Sequence, residues 1–193
     1  MTNRPLLTAF EPFGLHAANT SLEVLRAVAA LGVARTLALP VLYEEAPRLV
    51  IETAKRELPR EILMLGMAAG RQMVAVENIA RNEVTSGAPD NGGRARIGDW
   101  LRPGGPDTLT SPYPRPALIQ FLRQRGFASA LSDDAGGYVC NATYYGVAHW
   151  LWRESVNVPA VFVHIPGADR WDSNAVETFA AALAEWLARS AHR

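Results

Sequence analysis

The single cysteine of the sequence, Cys140, lies in Gly136-Gly137-Tyr138-Val139-Cys140-Asn141, between a glycine-containing loop and a segment with helical apolar spacing. A thiol at a helix N-terminus faces the positive end of the helix dipole and backbone N–H groups that lack acceptors. Both favour the thiolate, the nucleophilic form, and draw the pKa below its reference of about 8.5. The same N–H groups suit a tetrahedral oxyanion. The ordinary use of a free cysteine is as a small buried apolar residue, and the local pattern leaves both uses open.

A cysteine nucleophile needs a base, and there are four histidines. His149 is nine residues further along the same helix, over 13 Å away at ~1.5 Å per residue. His192 is next to the last residue, and His16 falls in a loop. His164 follows Val161-Phe162-Val163 and precedes Ile165-Pro166, which puts it at the carboxyl end of an expected strand, the edge where open α/β sheets build sites. It is the best base of the four, although a histidine there can also be a satisfied structural group. A third group should orient the imidazole. Glu77 interrupts Met73-Val74-Ala75-Val76, and a carboxylate inside an apolar strand needs a hydrogen-bonding partner. An exposed position on an edge strand explains Glu77 equally well, and Asp133 and Asp134 compete as carboxylates nearer to Cys140 in sequence. Pattern alone gives a Cys140–His164 pair with the third member undecided.

The elements that must position these residues alternate. Strands are expected at Leu6–Phe10, Val33–Leu42, Glu61–Leu65, Met73–Asn82, Phe127–Leu131 and Ala160–Ile165. Helices are expected from Thr20, opened by a Thr20-Ser21-Leu22-Glu23 capping box and closed by Gly32, and over Glu44–Leu58, Ala117–Arg125, Asn141–Glu154 and Asn174–Arg189, the last capped by Asp172 or Ser173. This alternation predicts an α/β fold, a single-domain α/β/α sandwich with an open, mainly parallel twisted sheet across residues 1–193. The stretch from Glu83 to Pro116 is polar, rich in glycine and proline, and without apolar period. Its length predicts an active-site or subunit-contact loop.

Composition narrows the chemistry further. Lys55 is the only lysine, and it stands among Glu52, Arg56 and Glu57 on an expected solvated helix face. A phosphate-loop lysine is therefore missing and Schiff-base catalysis is disfavoured. One cysteine forbids an internal disulfide or a multi-cysteine metal site. The formal net charge is zero, which gives no bulk attraction to nucleic acid or membrane. No apolar run approaches the 18 residues of a membrane span, and no signal peptide is evident; a cytoplasmic protein is expected.

Four segments together resemble the pyroglutamyl-peptidase I family of cysteine peptidases: Phe10-Glu11-Pro12-Phe13-Gly14; Gly66-Met67-Ala68-Ala69-Gly70-Arg71 with Val76-Glu77-Asn78-Ile79-Ala80-Arg81-Asn82; Ala135-Gly136 with Tyr138-Val139-Cys140-Asn141; and Val163-His164-Ile165-Pro166. The resemblance implies removal of an N-terminal pyroglutamyl residue from small peptides, with no metal or organic cofactor and with frequent assembly as dimers or tetramers. It assigns Cys140 as nucleophile, His164 as general acid and base, and Glu77 as the orienting carboxylate. It also implies that the lactam ring lies against Phe13, with Phe10 and Tyr138, and that the backbone near Met67 hydrogen-bonds the ring amide. The sequence departs from the family pattern at Asn78 and Gly87, where arginines are usual, at Asp133 and Asp134, and at Gly137, where threonine is usual. Two added carboxylates near the nucleophile would raise the thiol pKa. These departures keep two alternatives open, a homologue that binds pyroglutamyl-type ligands without turnover and a hydrolase of another small blocked or cyclic amide.

Overall fold

The computed structural model describes residues 3–189, so His192 lies outside the described residues. Strands β1 (Leu6–Phe10), β2 (Arg35–Leu39), β3 (Ile62–Met67), β4 (Val74–Glu77), β5 (Ala80–Arg81), β6 (Thr108–Leu109), β7 (Ser129–Ser132) and β8 (Ala160–Ile165) are described. With them come helices α1 (Thr20–Leu31), α2 (Glu45–Glu57), α3 (Arg115–Gln124), α4 (Val139–Arg153) and α5 (Ser173–Arg189). Six strands form one sheet in the order β2-β1-β3-β8-β4-β7, and β5 pairs with β6 in a separate ribbon. Strands β1, β2, β3 and β8 run parallel; β4 is antiparallel to β8 and parallel to β7. The α/β fold and the mainly parallel sheet match the sequence expectation. Among the described residues no helix is long and apolar enough to cross a membrane.

β3 and β8 are buried along their whole length, as expected of continuous apolar runs covered on both faces. Successive side chains on a strand point to opposite faces, and the core divides accordingly. Leu63, Leu65, Val161 and Val163 pack with Val28 of α1, Leu118 and Leu122 of α3, and Phe179 and Leu183 of α5. Ile62, Met64, Ala160 and Phe162 pack with Val50 of α2 and with Tyr144, Tyr145 and Val147 of α4. Gly66 and His164 continue the second set, so both face the α2/α4 layer.

Three local expectations change, and one open choice is settled. Asn19, not a Thr20 capping box, opens α1: its Oδ1 accepts from Ser21 N at 3.0 Å and Ser21 Oγ at 2.8 Å. Its amide also donates to Glu11 O at 3.0 Å, tying the Phe10–Gly14 loop to the helix. At α5, Asp172 is the cap, its Oδ1 accepting from Ala175 N at 2.8 Å. The expected Met73–Asn82 strand splits at Asn78-Ile79, because Ala80-Arg81 pairs with Thr108-Leu109 instead of the main sheet. Finally, α4 begins at Val139, which brings Cys140 into its first turn.

The stretch from 83 to 116 folds back over its own chain. Asn82 accepts from Arg102 N at 2.7 Å and donates to Arg102 O at 2.8 Å. Tyr145 Oη donates to Pro106 O at 2.8 Å. Side chains thus satisfy backbone groups that no ladder serves.

Candidate active site

The antiparallel pairing of β4 with β8 sets Ala75 opposite His164 and Glu77 opposite Phe162. Directly opposed residues share a face, so Glu77 and His164 are diagonal neighbours on the α4 side. The His164 Nδ1 to Glu77 Oε1 distance is 2.8 Å. Because an ionised carboxylate only accepts, the bond sets Nδ1 as the protonated nitrogen and leaves the Nε2 lone pair free. On the other flank of β8, His164 is in register with Gly66. A Cβ at Gly66 would stand 3.0 Å from Cys140 Sγ and 2.8 Å from the Phe162 ring. The missing side chain makes room for the sulfur, which lies on the strand beside His164. Cys140, His164 and Glu77, widely separated in sequence, therefore meet on one face of β3, β8 and β4.

Glu77 is fully buried. Its Oε1 also accepts from Arg71 Nη1 at 3.0 Å, while Oε2 is buried without a partner. Its backbone carbonyl accepts from Arg115 Nε at 2.9 Å. The rival carboxylates are engaged elsewhere. Asp133 Oδ1 accepts from Asn78 Nδ2 at 2.8 Å, and Asp134 Oδ1 accepts from Gly136 N at 2.9 Å, both building the β7–α4 loop.

The thiol departs from the expectation of a standing thiolate. Burial, followed by the charge of Glu77, pushes the Cys140 pKa up to about 12; Arg71 and the residue's own backbone N–H pull the other way. Desolvation outweighs the helix start even though Cys140 is only half-buried, because its sulfur lies packed against Gly66 of β3. Glu77 is the carboxylate that raises the thiol, and Asp133 and Asp134 are not among the groups acting on it.

The expected binding residues separate into two groups. Phe13 and Tyr138 lie near one another with ring centroids 6.1 Å apart, and His16 stands 5.2 Å from Phe13. Phe10 is buried behind them, 6.3 Å from Phe162, where it supports the site from within the core. Met67 ends β3 and is nearly buried, and its sulfur accepts from Thr20 Oγ1 at 3.6 Å. A strap from the 83–116 stretch closes this side. Thr85 N and Ser86 N both donate to Gly137 O, at 3.1 and 3.0 Å. Tyr138 Oη donates to Pro89 O at 2.8 Å, and Asn91 Nδ2 to Pro12 O at 2.9 Å. A Cβ at Gly137 would fall 1.7 Å from Thr85 Oγ1, so the departure to glycine there makes room for Thr85.

Arg71 and Asn141 were not assigned site roles from the sequence. Asn141 accepts from Arg81 N at 2.9 Å and donates to the carbonyls of Arg81 and Glu83, at 2.9 and 3.0 Å, pinning β5 beside the nucleophile. A polar residue at a buried helical position is its sequence signal. Arg71 sits after a glycine turn, where an arginine is unremarkable.

A family model for pyroglutamyl peptidase matches residues 3–176. The chain belongs to the pyroglutamyl peptidase family. It is thereby a cysteine-type omega peptidase, in a family whose reaction is hydrolysis at an N-terminal pyroglutamyl residue. Pyrrolidone-carboxylate peptidase of Vibrio parahaemolyticus is 35% identical over 165 residues, 83% of this chain and 77% of that one. The Halalkalibacterium halodurans pyrrolidone-carboxylate peptidase is 34% identical over 173 residues, 87% of this chain and 86% of its own. The crystal structure of pyroglutamyl peptidase I from Bacillus amyloliquefaciens superposes with a TM-score of 0.87 at 28% identity, covering 99% of this chain and 95% of that one. The chain thus shares the fold of that structure nearly end to end.

Proposed function

We propose that the chain hydrolyses the amide bond after an N-terminal pyroglutamyl residue of small peptides, with Cys140 as nucleophile, His164 as general base and acid, and Glu77 as the carboxylate that orients the imidazole. The observation that carries this reading is the 2.8 Å His164–Glu77 bond on the same sheet face as the Cys140 sulfur. A pyroglutamyl group has no free α-amine, so an anionic anchor would serve no purpose. A flat neutral lactam calls for an apolar slot and a few backbone hydrogen bonds. Phe13 and Tyr138 supply the slot, Phe10 backs it, and the backbone near Met67 meets the ring amide.

In this reading Cys140 Sγ attacks the pyroglutamyl carbonyl carbon while its proton passes to His164 Nε2. The resting thiol is neutral, so deprotonation accompanies attack. The first-turn N–H of Cys140 faces the developing oxyanion. His164 returns the proton to the leaving amine, the C–N bond breaks, and a thioester remains. Water, deprotonated by His164, then releases pyroglutamate and restores the thiol.

The test is steady-state hydrolysis of a fluorogenic pyroglutamyl amide in reductant, beside Cys140→Ser. The parent turns over, and the variant loses at least about 10³-fold in kcat. A folded parent that ignores the pyroglutamyl amide but cleaves another blocked amide would transfer the assignment to that substrate.

A further inference from the structure

Arg71 occupies a position that the reaction as described does not use. The turn Ala68–Arg71 closes through Arg71 N donating to Ala68 O at 3.1 Å, with Gly70 at φ +90°, a conformation that favours glycine. From this turn the guanidinium reaches three groups. Nη1 donates to Glu77 Oε1 at 3.0 Å and to Ser132 Oγ at 3.4 Å, and Nη2 donates to Asp134 O at 2.5 Å. Ser132 Oγ in turn accepts from Asp134 N at 3.2 Å. One side chain therefore joins the buried glutamate of β4 to the loop that leads into α4 and Cys140.

We propose that Arg71 is a positioning residue, which fixes Glu77 against His164, ties that carboxylate to the nucleophile loop, and offsets its charge at the thiol. This rests on the roles given to Cys140, His164 and Glu77 above. Glu77 presents a problem to such a site: its charge steadies a protonated His164 but opposes a thiolate at Cys140. The Glu77–Arg71 pair is neutral as a unit, so the proton can move from sulfur to imidazole without a net negative charge beside the nascent thiolate. Arg71 acts on the thiol in that sense, lowering its pKa against the rise caused by burial and Glu77. The titratable and charged groups around the thiol are Glu77 on β4, Arg71 on the β3–β4 turn, His164 on β8 and Tyr138 at the start of α4, with Arg115 of α3 held on Glu77 O. Asp133 and Asp134 are bonded within their own loop or to Asn78. Arg71 is the one cation bonded to the Glu77 carboxylate among the described residues.

The test uses the lone cysteine, which makes whole-protein labelling a direct reading of Cys140. Iodoacetamide alkylation at pH 8, followed by mass spectrometry, should be about tenfold slower in Arg71→Gln than in the parent, and within about threefold of the parent in Arg71→Lys. With the pyroglutamyl amide, Arg71→Gln should lose about 10–100-fold in kcat with KM within about threefold. A lower melting temperature with unchanged alkylation would overturn the proposal, because it would leave Arg71 only a packing role. Should Arg71→Gln fail to fold, having stranded a buried carboxylate, the comparison moves to Glu77→Gln against Glu77→Gln/Arg71→Gln. The double variant should alkylate about tenfold more slowly, and equal rates would overturn the proposal. A parent that alkylates in the expected pattern yet hydrolyses no pyroglutamyl amide sinks the substrate reading and leaves the role of Arg71 standing.

Discussion

Two glutamates are buried on opposite faces of the same sheet, and they are put to different ends. Glu61, just before β3, lies on the α3/α5 side at 5% exposure. Its Oε2 accepts from Tyr113 Oη at 2.7 Å, and Tyr113 Oη accepts from Trp186 Nε1 at 2.9 Å. Glu77, on the α4 side, is bonded to His164 and Arg71. Both keep one carboxylate oxygen buried without a hydrogen-bond partner, so burial and incomplete pairing do not tell them apart. The partners do. Burial and then the charge of Glu61 push the Tyr113 hydroxyl well above its ordinary value, so that group holds its proton throughout the neutral range. Glu61 is bonded to a phenol that itself accepts from an indole, an arrangement that suits a strut; Glu77 is bonded to a histidine on the sheet face that carries the thiol, an arrangement that suits the proposed chemistry.

Replacing the acid by its amide on each face separates the two most sharply. Glu77→Gln should lower kcat on a pyroglutamyl amide by about 10²–10³-fold, through the loss of the group that orients and stabilises protonated His164. Glu61→Gln should leave kcat within about twofold; a Glu77→Gln enzyme of near-parental kcat would erase the distinction. Next in size, Glu61→Ala should cost about 2 kcal/mol in urea unfolding, with turnover preserved in the folded fraction, because the Tyr113 hydroxyl loses its buried acceptor. Tyr113→Phe should cost about 1 kcal/mol, again without effect on turnover; a kinetic effect of either change would give the α3/α5 side a share in the chemistry.

The smallest effect is a pH slope on the other face. The folded Cys140 pKa is raised from 9.0 to about 12, so the native state holds a proton that the unfolded chain releases. The resulting stability is complete below pH 9 and is lost as the pH rises toward 12. Between pH 7 and 9.5 the parent should lose up to about 1 kcal/mol more in unfolding free energy than Cys140→Ser. Parallel curves for the two would mean that the folded chain leaves the sulfur as well solvated as the unfolded one.

The sheet was legible in its apolar runs, and the Cys140–His164 pair in a thiol at an expected helix start and a histidine closing an apolar strand; Glu77 stood level with Asp133 and Asp134 until the family resemblance selected it. The order of the strands was not legible, since β4 enters beside β8 through the antiparallel pairing of Ala75 with His164, which no local signal announces. Arg71 was hidden because its backbone sits in a turn where any polar residue is ordinary, and only the length of its side chain brings it to the carboxylate. The capping box misled because Asn19, one residue earlier, is itself a strong cap and is held by Glu11 O. The thiol was misjudged because a helix dipole can be read from sequence, whereas desolvation depends on Gly66, far away along the chain.

The strap over the nucleophile loop carries a consequence for the order of folding. Asn91 bonds to Pro12 and Val41, and Thr85 and Ser86 bond to Gly137. These closures span 50 to 79 residues, and contacts between such distant segments form late because chain entropy must first be spent to bring them together. The β3–β8 pairing beside the cysteine spans 98 residues, so its surroundings come together only with the central sheet. A nascent or partly unfolded chain therefore displays an ordinary thiol with none of its neighbours yet assembled around it.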